Sequence, residues 1–400
     1  MPAIDGRRLL DDLYALRKMG EYKTGAHRPT FSPEDVASRH WLSDRLVAAG
    51  LTAEIDGIGN VYGLCRGPGR KLLMGSHLET QNHAGWLDGA LGVIYGLEVA
   101  RTLGGGIDVA AFADEEGHFG NFIGSRSFCG ALTEAEIDRL SNRNTGTSLR
   151  DALAQAGFAG RPRREVDPAR YHGYIEAHIE QGGDLEDHGL RIGVVTAIVG
   201  SRRFRVVAEG TQNHAGTTRM AIRRDAGVAL SRLSVAIHDL FPSIAGPRTV
   251  WTMGRMVLDP GQPSIVPGRA EGLFQFRDTD MAVLDRLEAA LDELLAEANR
   301  KGPCTISLLD RSQTFPAAMD DGFQAALEAA AQQHVPGLHQ RMPSGAGHDA
   351  QIVSTRIPSA MLFVPSIGGI SHHWSENTSD EDIVLGCQVL ADAAARLLAA

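Results

Sequence analysis

Four short apolar runs end at or near a residue able to hold a metal or a proton, and this recurrence constrains the fold more than any other feature. Lys71-Leu72-Leu73-Met74-Gly75-Ser76 runs into His77, and Ile107 to Ala113 into Asp114-Glu115-Glu116. Tyr174-Ile175-Glu176-Ala177 runs into His178, while Met361-Leu362-Phe363-Val364-Pro365 leads through a short loop to His372. Each run has strand length, and near-continuous apolar character is the mark of a strand buried on both faces. Helical stretches fall between them, from about Gly89 to Leu103 and from Phe122 to Cys129. Alternating strands and helices form an α/β layer structure. The expected fold class is α/β, with a mixed, mostly parallel sheet, helices on both faces, and ligands at the carboxyl ends of the strands.

A chain of 400 residues exceeds one ordinary core, so two domains are expected. The pattern changes near residue 200. Arg203 to Glu209 reads as a strand, Ala221 to Leu240 as a helix, Arg248 to Leu258 and Ala270 to Arg277 as strands, Ala282 to Asn299 as a helix, and Thr305 to Leu309 as a strand. This order suggests a small α+β sandwich. Residues 1–200 and 311–400 are expected to form one domain, closed by a helix from about Asp380 to Leu398, with 201–310 inserted into it.

A formal charge of -10 opposes nucleic-acid binding, which relies on Lys and Arg at phosphates. No stretch approaches the ~20 apolar residues that span a bilayer. The amino-terminal residues are amphipathic and acid-bearing rather than an apolar leader. Cys65, Cys129, Cys304 and Cys387 are widely spaced, and a reduced cytoplasm is the expected location. Gly124-Ser125-Arg126-Ser127-Phe128 lacks the final glycine of a serine-nucleophile elbow, and no glycine-rich segment matches a phosphate-binding loop.

Three adjacent carboxylates need something positive beside them, because like charges sharing a site raise one another's pKa. His77, Asp88, Glu116, His178 and His372 could hold two divalent ions through one shared carboxylate, and Asp88 suits the bridge. Taken singly, each has a plainer reading: Asp88 as a helix N-cap, His77 as a core histidine, Glu115 and Glu116 as a solvated turn. Convergence of four strand ends favours the site. Thr-Gln-Asn-His-Ala-Gly occurs at 80–85 and again at 211–216, but the flanks differ, and the repeat is read as coincidence.

The segments GSHLET with LDGALGV, FADEEGHFGNFIGSRSF, EAHIEQG, TQNHAGTTRM with RRDA, SGAGHDA and VPSIGGISHHWSENT resemble, in order, the amidase/hydantoinase/carbamoylase group of the M20 metallopeptidase superfamily. That group includes N-carbamoyl-L-amino-acid hydrolases, β-ureidopropionases and allantoate amidohydrolases. The resemblance implies a homodimeric, dinuclear metal-dependent hydrolase in which Asp88 bridges two ions, one completed by His77 and His178, the other by Glu116 and His372. Zinc is the first candidate, with manganese, cobalt or nickel as alternatives. A metal-bridged hydroxide would be the nucleophile and Glu115 the general base and acid. His214 would polarise the scissile carbonyl, typically in the partner subunit's site. Gln181, Arg277, Ser264 and Gly347 fall at substrate-binding positions, with Arg277 placed for a carboxylate. Residues 201–310 would be a lid and dimerisation domain.

Several positions depart from the family's pattern. Glu79 replaces an Asp expected to orient His77, Ser264 a common Asn and Arg219 a usual Pro, and His83-Ala84-Gly85-Trp86 differs from the glycine-rich version common at that loop. The implied substrate is a small N-carbamoyl (ureido) amino acid. Alternatives are an amidase or peptidase on N-acyl amino acids or dipeptides, or a metal-stabilised binding protein without turnover.

Overall fold

A computed structural model describes residues 2–399. The four apolar runs become four adjacent parallel strands, in the order Ser359–Val364, Tyr171–Ile179, Lys71–His77, Ile107–Phe112. Antiparallel strands flank them, Ile192–Ile198 on one side and Val61–Leu64 with Thr52–Ile55 on the other, within a nine-stranded mixed sheet.

Both faces are covered, so every residue of Lys71–His77, Ile107–Phe112 and Ser359–Val364 is buried. Alternate side chains divide between two apolar layers. Leu72, Met74, Val109, Ala111, Ile175, Ala177, Leu362 and Val364 join a core with the helices Ala90–Leu103, Asp321–His334 and Asp380–Ala399. On the other parity, Phe112 meets Tyr174 and Phe128, the latter from the short helix Ile123–Phe128. His77 and His178 share the parity of Leu73 and Tyr174.

The chain divides into two compact units: one runs to Thr196 and resumes at Ala318, the other is Ala197–Ala317. In the second, a four-stranded antiparallel sheet runs Val250–Asp259, Arg269–Asp278, Gly200–Glu209, Thr305–Thr314. Helices Ala226–Leu240 and Met281–Lys301 supply its core with Leu230, Leu233, Ile237, Leu284, Leu287 and Leu291. Along Arg269–Asp278, Ala270, Gly272, Phe274, Phe276 and Asp278 are buried while their neighbours are not, the alternation of a sheet covered on one face. The first helix starts later than the sequence pattern indicates. Asp225 caps it by accepting the Val228 N–H at 3.1 Å, and Met220–Ile222 is a separate 3₁₀ turn.

Candidate metal centre and active site

The site is assembled at the carboxyl ends of the four parallel strands and in the loops that leave them. His77 is the last residue of its strand and His178 the penultimate one of its own. Each ring is tied through Nδ1 to a backbone carbonyl, His77 to Glu79 at 3.0 Å and His178 to Ile179 at 2.9 Å. In the neutral ring, an Nδ1–H donated to a carbonyl leaves Nε2 with its lone pair, the tautomer a metal ligand needs. Both Nε2 atoms face Asp88 Oδ1, at 3.7 Å and 3.1 Å, while His372 Nε2 faces the other oxygen, Oδ2, at 3.3 Å. Glu116 Oε2 stands 3.7 Å from His372 Nε2. One carboxylate thus presents one oxygen to each of two donor sets, His77–Asp88–His178 and Asp88–Glu116–His372.

Asp88 is not a helix cap. The N-cap is Gly89, at φ 67°, with no side-chain capping bond. Two constraints demand glycine there: the left-handed backbone, and a Cβ that would collide with the His77 ring. Asp88 is positioned instead by Glu376, whose Oε1 accepts the N–H groups of Leu87 at 3.3 Å and Asp88 at 3.1 Å.

The acidic triplet separates into three environments. Asp114, at φ 57°, accepts N–H groups of His118, Phe119 and Gly120 and the Thr30 hydroxyl, all within 2.9 Å, so its charge is met locally. Glu115 Oε2 lies 3.7 Å from His77 Nε2, and its backbone N–H donates to Glu79 Oε1 at 2.6 Å. Burial, then the charges of Glu116, Asp349, Asp88 and Glu176, hold the Glu115 carboxyl well above the usual range. Burial beside Asp88 pushes Glu116 up to about 8. His372, bonded to Asp88, is raised to about 9. His178 also rises to about 9, because Asp88 outweighs the effect of burial. Glu115, Glu116, His178 and His372 are thus biased toward their protonated forms, whereas burial lowers His77 to about 4 and, against the effect of its burial, the bonds from His178 and His372 hold Asp88 well below the usual range. Nitrogen and oxygen donors at this spacing could hold divalent metal ions.

Glu79 does not meet the substrate side of the cluster. It is fully buried, and its carboxylate pairs with Arg39 at 2.8 Å, which also pairs with Asp35 at 2.9 Å. His77 is held by the Glu79 backbone carbonyl, whereas the nearer carboxylate oxygen stays 3.9 Å away. The extra methylene of Glu over Asp therefore serves Arg39 and the Glu115 peptide. His83, at φ 53°, stacks between Tyr22 and His27, each at 4.3 Å.

Gln181, at φ 60°, reaches Asp88 Oδ2 at 3.1 Å and Ser371 Oγ at 3.2 Å. Gly347 lies against the Phe122 ring, where a Cβ would come within 2.9 Å. The remaining sequence-derived candidates stand in the second unit. Asn213–His214 and Ile265–Val266 form a two-stranded ladder, and the Ser264 carbonyl accepts the Ala215 N–H at 2.8 Å, which brings His214 and Ser264 together. His214 is exposed, and its Nδ1 accepts the N–H groups of Gly216 and Thr217 at 3.0 and 3.2 Å. That places the proton of the neutral ring on Nε2. Arg277 is half-buried at the penultimate position of the strand Arg269–Asp278, near Gln275 Oε1 at 3.5 Å, and burial lowers its pKa.

Sequence reasoning passed over Glu176, His348, Glu376 and Gln81. Glu176 precedes His178 by two residues on one strand and so shares its face; it accepts Ser76 Oγ at 2.6 Å and the Ala350 N–H at 2.8 Å. Its parity was legible. His348, edge-on to His178 at 4.6 Å, arrives from a distant segment, next to Gly347 in the SGAGHDA motif.

A sheet with a histidine–carboxylate cluster at its carboxyl ends describes the class of metal-dependent hydrolases. The chain belongs to peptidase family M20/M25/M40, whose model matches residues 79–396. It is 34% identical over 381 residues to an allantoate amidohydrolase of Escherichia coli strain K12, covering 92% of each chain. It is 32% identical to an N-carbamoyl-L-amino acid amidohydrolase of Geobacillus stearothermophilus, covering 97% of each. The crystal structure of an amidase of the hydantoinase/carbamoylase family from Burkholderia phymatum is 48% identical and superposes with a TM-score of 0.91, over 100% of this chain and 99% of that one.

Proposed function

We propose that the chain is a metal-dependent amidohydrolase that cleaves the C–N bond of an N-carbamoyl (ureido) amino acid or close analogue. The observation that carries this reading is Asp88, one oxygen toward each donor set, with Glu115 beside His77. His77 and His178 would hold one divalent ion, Glu116 and His372 the other, and Asp88 both. When bound, such ions supply Lewis acidity and bring a water's pKa toward neutrality.

The chain's own residues account for the proton and the substrate. Glu115, kept receptive to a proton by burial and neighbouring carboxylates, accepts one from the attacking water and returns it to the leaving nitrogen. Water adds to the ureido carbonyl, the bond to the amino nitrogen breaks, and the carbamic acid released falls to carbon dioxide and ammonia. The Nε2–H of His214 suits a carbonyl oxygen, and Arg277 suits a carboxylate through its paired N–H groups. The names of the relatives support a ureido substrate, since allantoate and N-carbamoyl amino acids share a ureido group and a carboxylate.

Assays pairing N-carbamoyl and N-acyl forms of the same amino acids, with Zn²⁺ or Mn²⁺ supplied, test the proposal. Faster release of the free amino acid from the carbamoyl forms, accompanied by ammonia, is expected, whereas turnover of the acyl forms alone would favour the N-acyl amidase reading suggested by Ser264 and the His83 loop.

The second unit supports a homodimer. Val250–Asp259 is the edge of its sheet and exposes Val250, Met256, Val257 and Leu258. An apolar edge strand is a template for pairing with another chain. Light scattering is expected to give the mass of two chains, and Val257→Lys to shift it toward one. No helix among the described residues is long and apolar enough to cross a membrane.

A further inference from the structure

The two donor sets are held differently, and the difference points to a residue that is neither a donor nor a substrate-facing group. His77 and His178 are fixed by backbone carbonyls, which no side-chain substitution removes. Glu116 is fixed by Gln81. Its Oε1 accepts the Gln81 backbone N–H at 3.1 Å, its Oε2 accepts Gln81 Nε2–H at 2.8 Å, and its own carbonyl accepts the other Nε2–H at 2.9 Å. Both amide protons are thus spent on one residue. The amide can face only one way, because its Oε1 accepts from Arg143 Nη2 at 2.5 Å, and Arg143 is anchored by its N–H on the His118 carbonyl at 2.8 Å. A flipped amide would set oxygen against the Glu116 carboxylate and N–H against a guanidinium.

We propose that Gln81 is a positioning residue that locks the Glu116 carboxylate toward His372 and Asp88 and so selectively strengthens binding of the second divalent ion. The inference rests on the two-ion reading of the site. A glutamate side chain has three rotatable bonds, and holding it ready removes an ordering cost from ion binding. Gln81 does this with neutral donors, so the carboxylate keeps its charge for the cation, which a Lys or Arg in its place would neutralise. Residues that orient a metal ligand typically change affinity by about 10–100-fold.

Calorimetric titration of the metal-free protein with Zn²⁺ alone tests this without recourse to activity. Wild type is expected to bind two ions in separable steps. Gln81→Leu, of similar volume and with the donors removed, is expected to weaken the second step about 10–100-fold and leave the first within about threefold. Arg143→Ala, on an exposed loop, is expected to weaken the same step by less. An unchanged second step in Gln81→Leu, or equal weakening of both steps, overturns the assignment to Gln81 while leaving the two-ion reading intact. A single step in wild type overturns both. Should Gln81→Leu fail to fold, Arg143→Ala decides: weakening confined to the second step upholds the proposal, and two unchanged steps overturn it.

Discussion

The two sheets of this molecule bury their chemistry in opposite ways. In the larger unit four parallel strands are covered on both faces, and beyond their carboxyl ends lies a cluster in which His77, Asp88, Glu116 and His178 are buried and mutually constrained. In the smaller unit the sheet has one covered face, and His214 and Ser264 are exposed on a ladder of two residues per strand. Burial among like charges supplies tuned acidity and a fixed geometry for cations. Exposure on short ladders supplies side chains that meet a ligand without desolvation already incurred. The larger unit thus offers a buried, charged cluster and the smaller one exposed side chains on a short ladder.

The comparison can be broken most directly at Asp88. Asp88→Asn removes the charge shared by both donor sets, and activity is expected to fall below detection with bound metal, measured by elemental analysis, reduced toward zero. Near-normal metal content would show that the sets are not joined by this carboxylate. Glu115→Gln is expected to retain its metal while kcat falls by about 10²–10⁴-fold, the usual worth of a positioned acid–base group. A wild-type rate in that variant would remove Glu115 from the mechanism. For the smaller unit, Arg277→Ala is expected to lower kcat/KM by about 10²-fold on a carboxylate-bearing substrate, and by far less on the amidated one. Equal losses on both would mean that Arg277 does not read the carboxylate. The mildest test concerns stability. Chelation should destabilise the larger unit by roughly 2–3 kcal/mol for each ion held at about a hundred times its Kd. Hydrogen exchange should then rise around His77 and His178 and stay unchanged in the core of Phe274, Phe276 and Leu287. A uniform rise across both units would erase the distinction between them.

Much of this was legible in the chain. Continuous apolar runs marked the four central strands, because a strand covered on both faces has no polar alternation. The change near residue 200 to a strand-helix-strand-strand-helix-strand order marked the second unit. The five residues of the two donor sets were legible because each stood at or just beyond one of those runs, or beside the glycine that opens the following helix. Asp88 is the instructive case. Local spacing favoured a helix cap, and the structure assigns that place to Gly89, since the His77 ring leaves no room for a side chain there. The bond from Glu79 to Arg39 spans forty residues, and that from Glu376 to Asp88 nearly three hundred. No window of sequence holds both partners.

What the sequence by itself determined was the order of elements and the type of residue at each strand end. These follow from local periodicity and from where apolar side chains must go. The resemblance already set Glu115 apart from Glu116, but only the tertiary structure decided what surrounds each carboxylate of the triplet: a nest of backbone N–H groups at Asp114, His77 beside Glu115, Gln81 and His372 beside Glu116. Three adjacent carboxylates are alike as sequence. They differ once burial and partners from distant segments set the field at each one, because a charge is defined by what surrounds it.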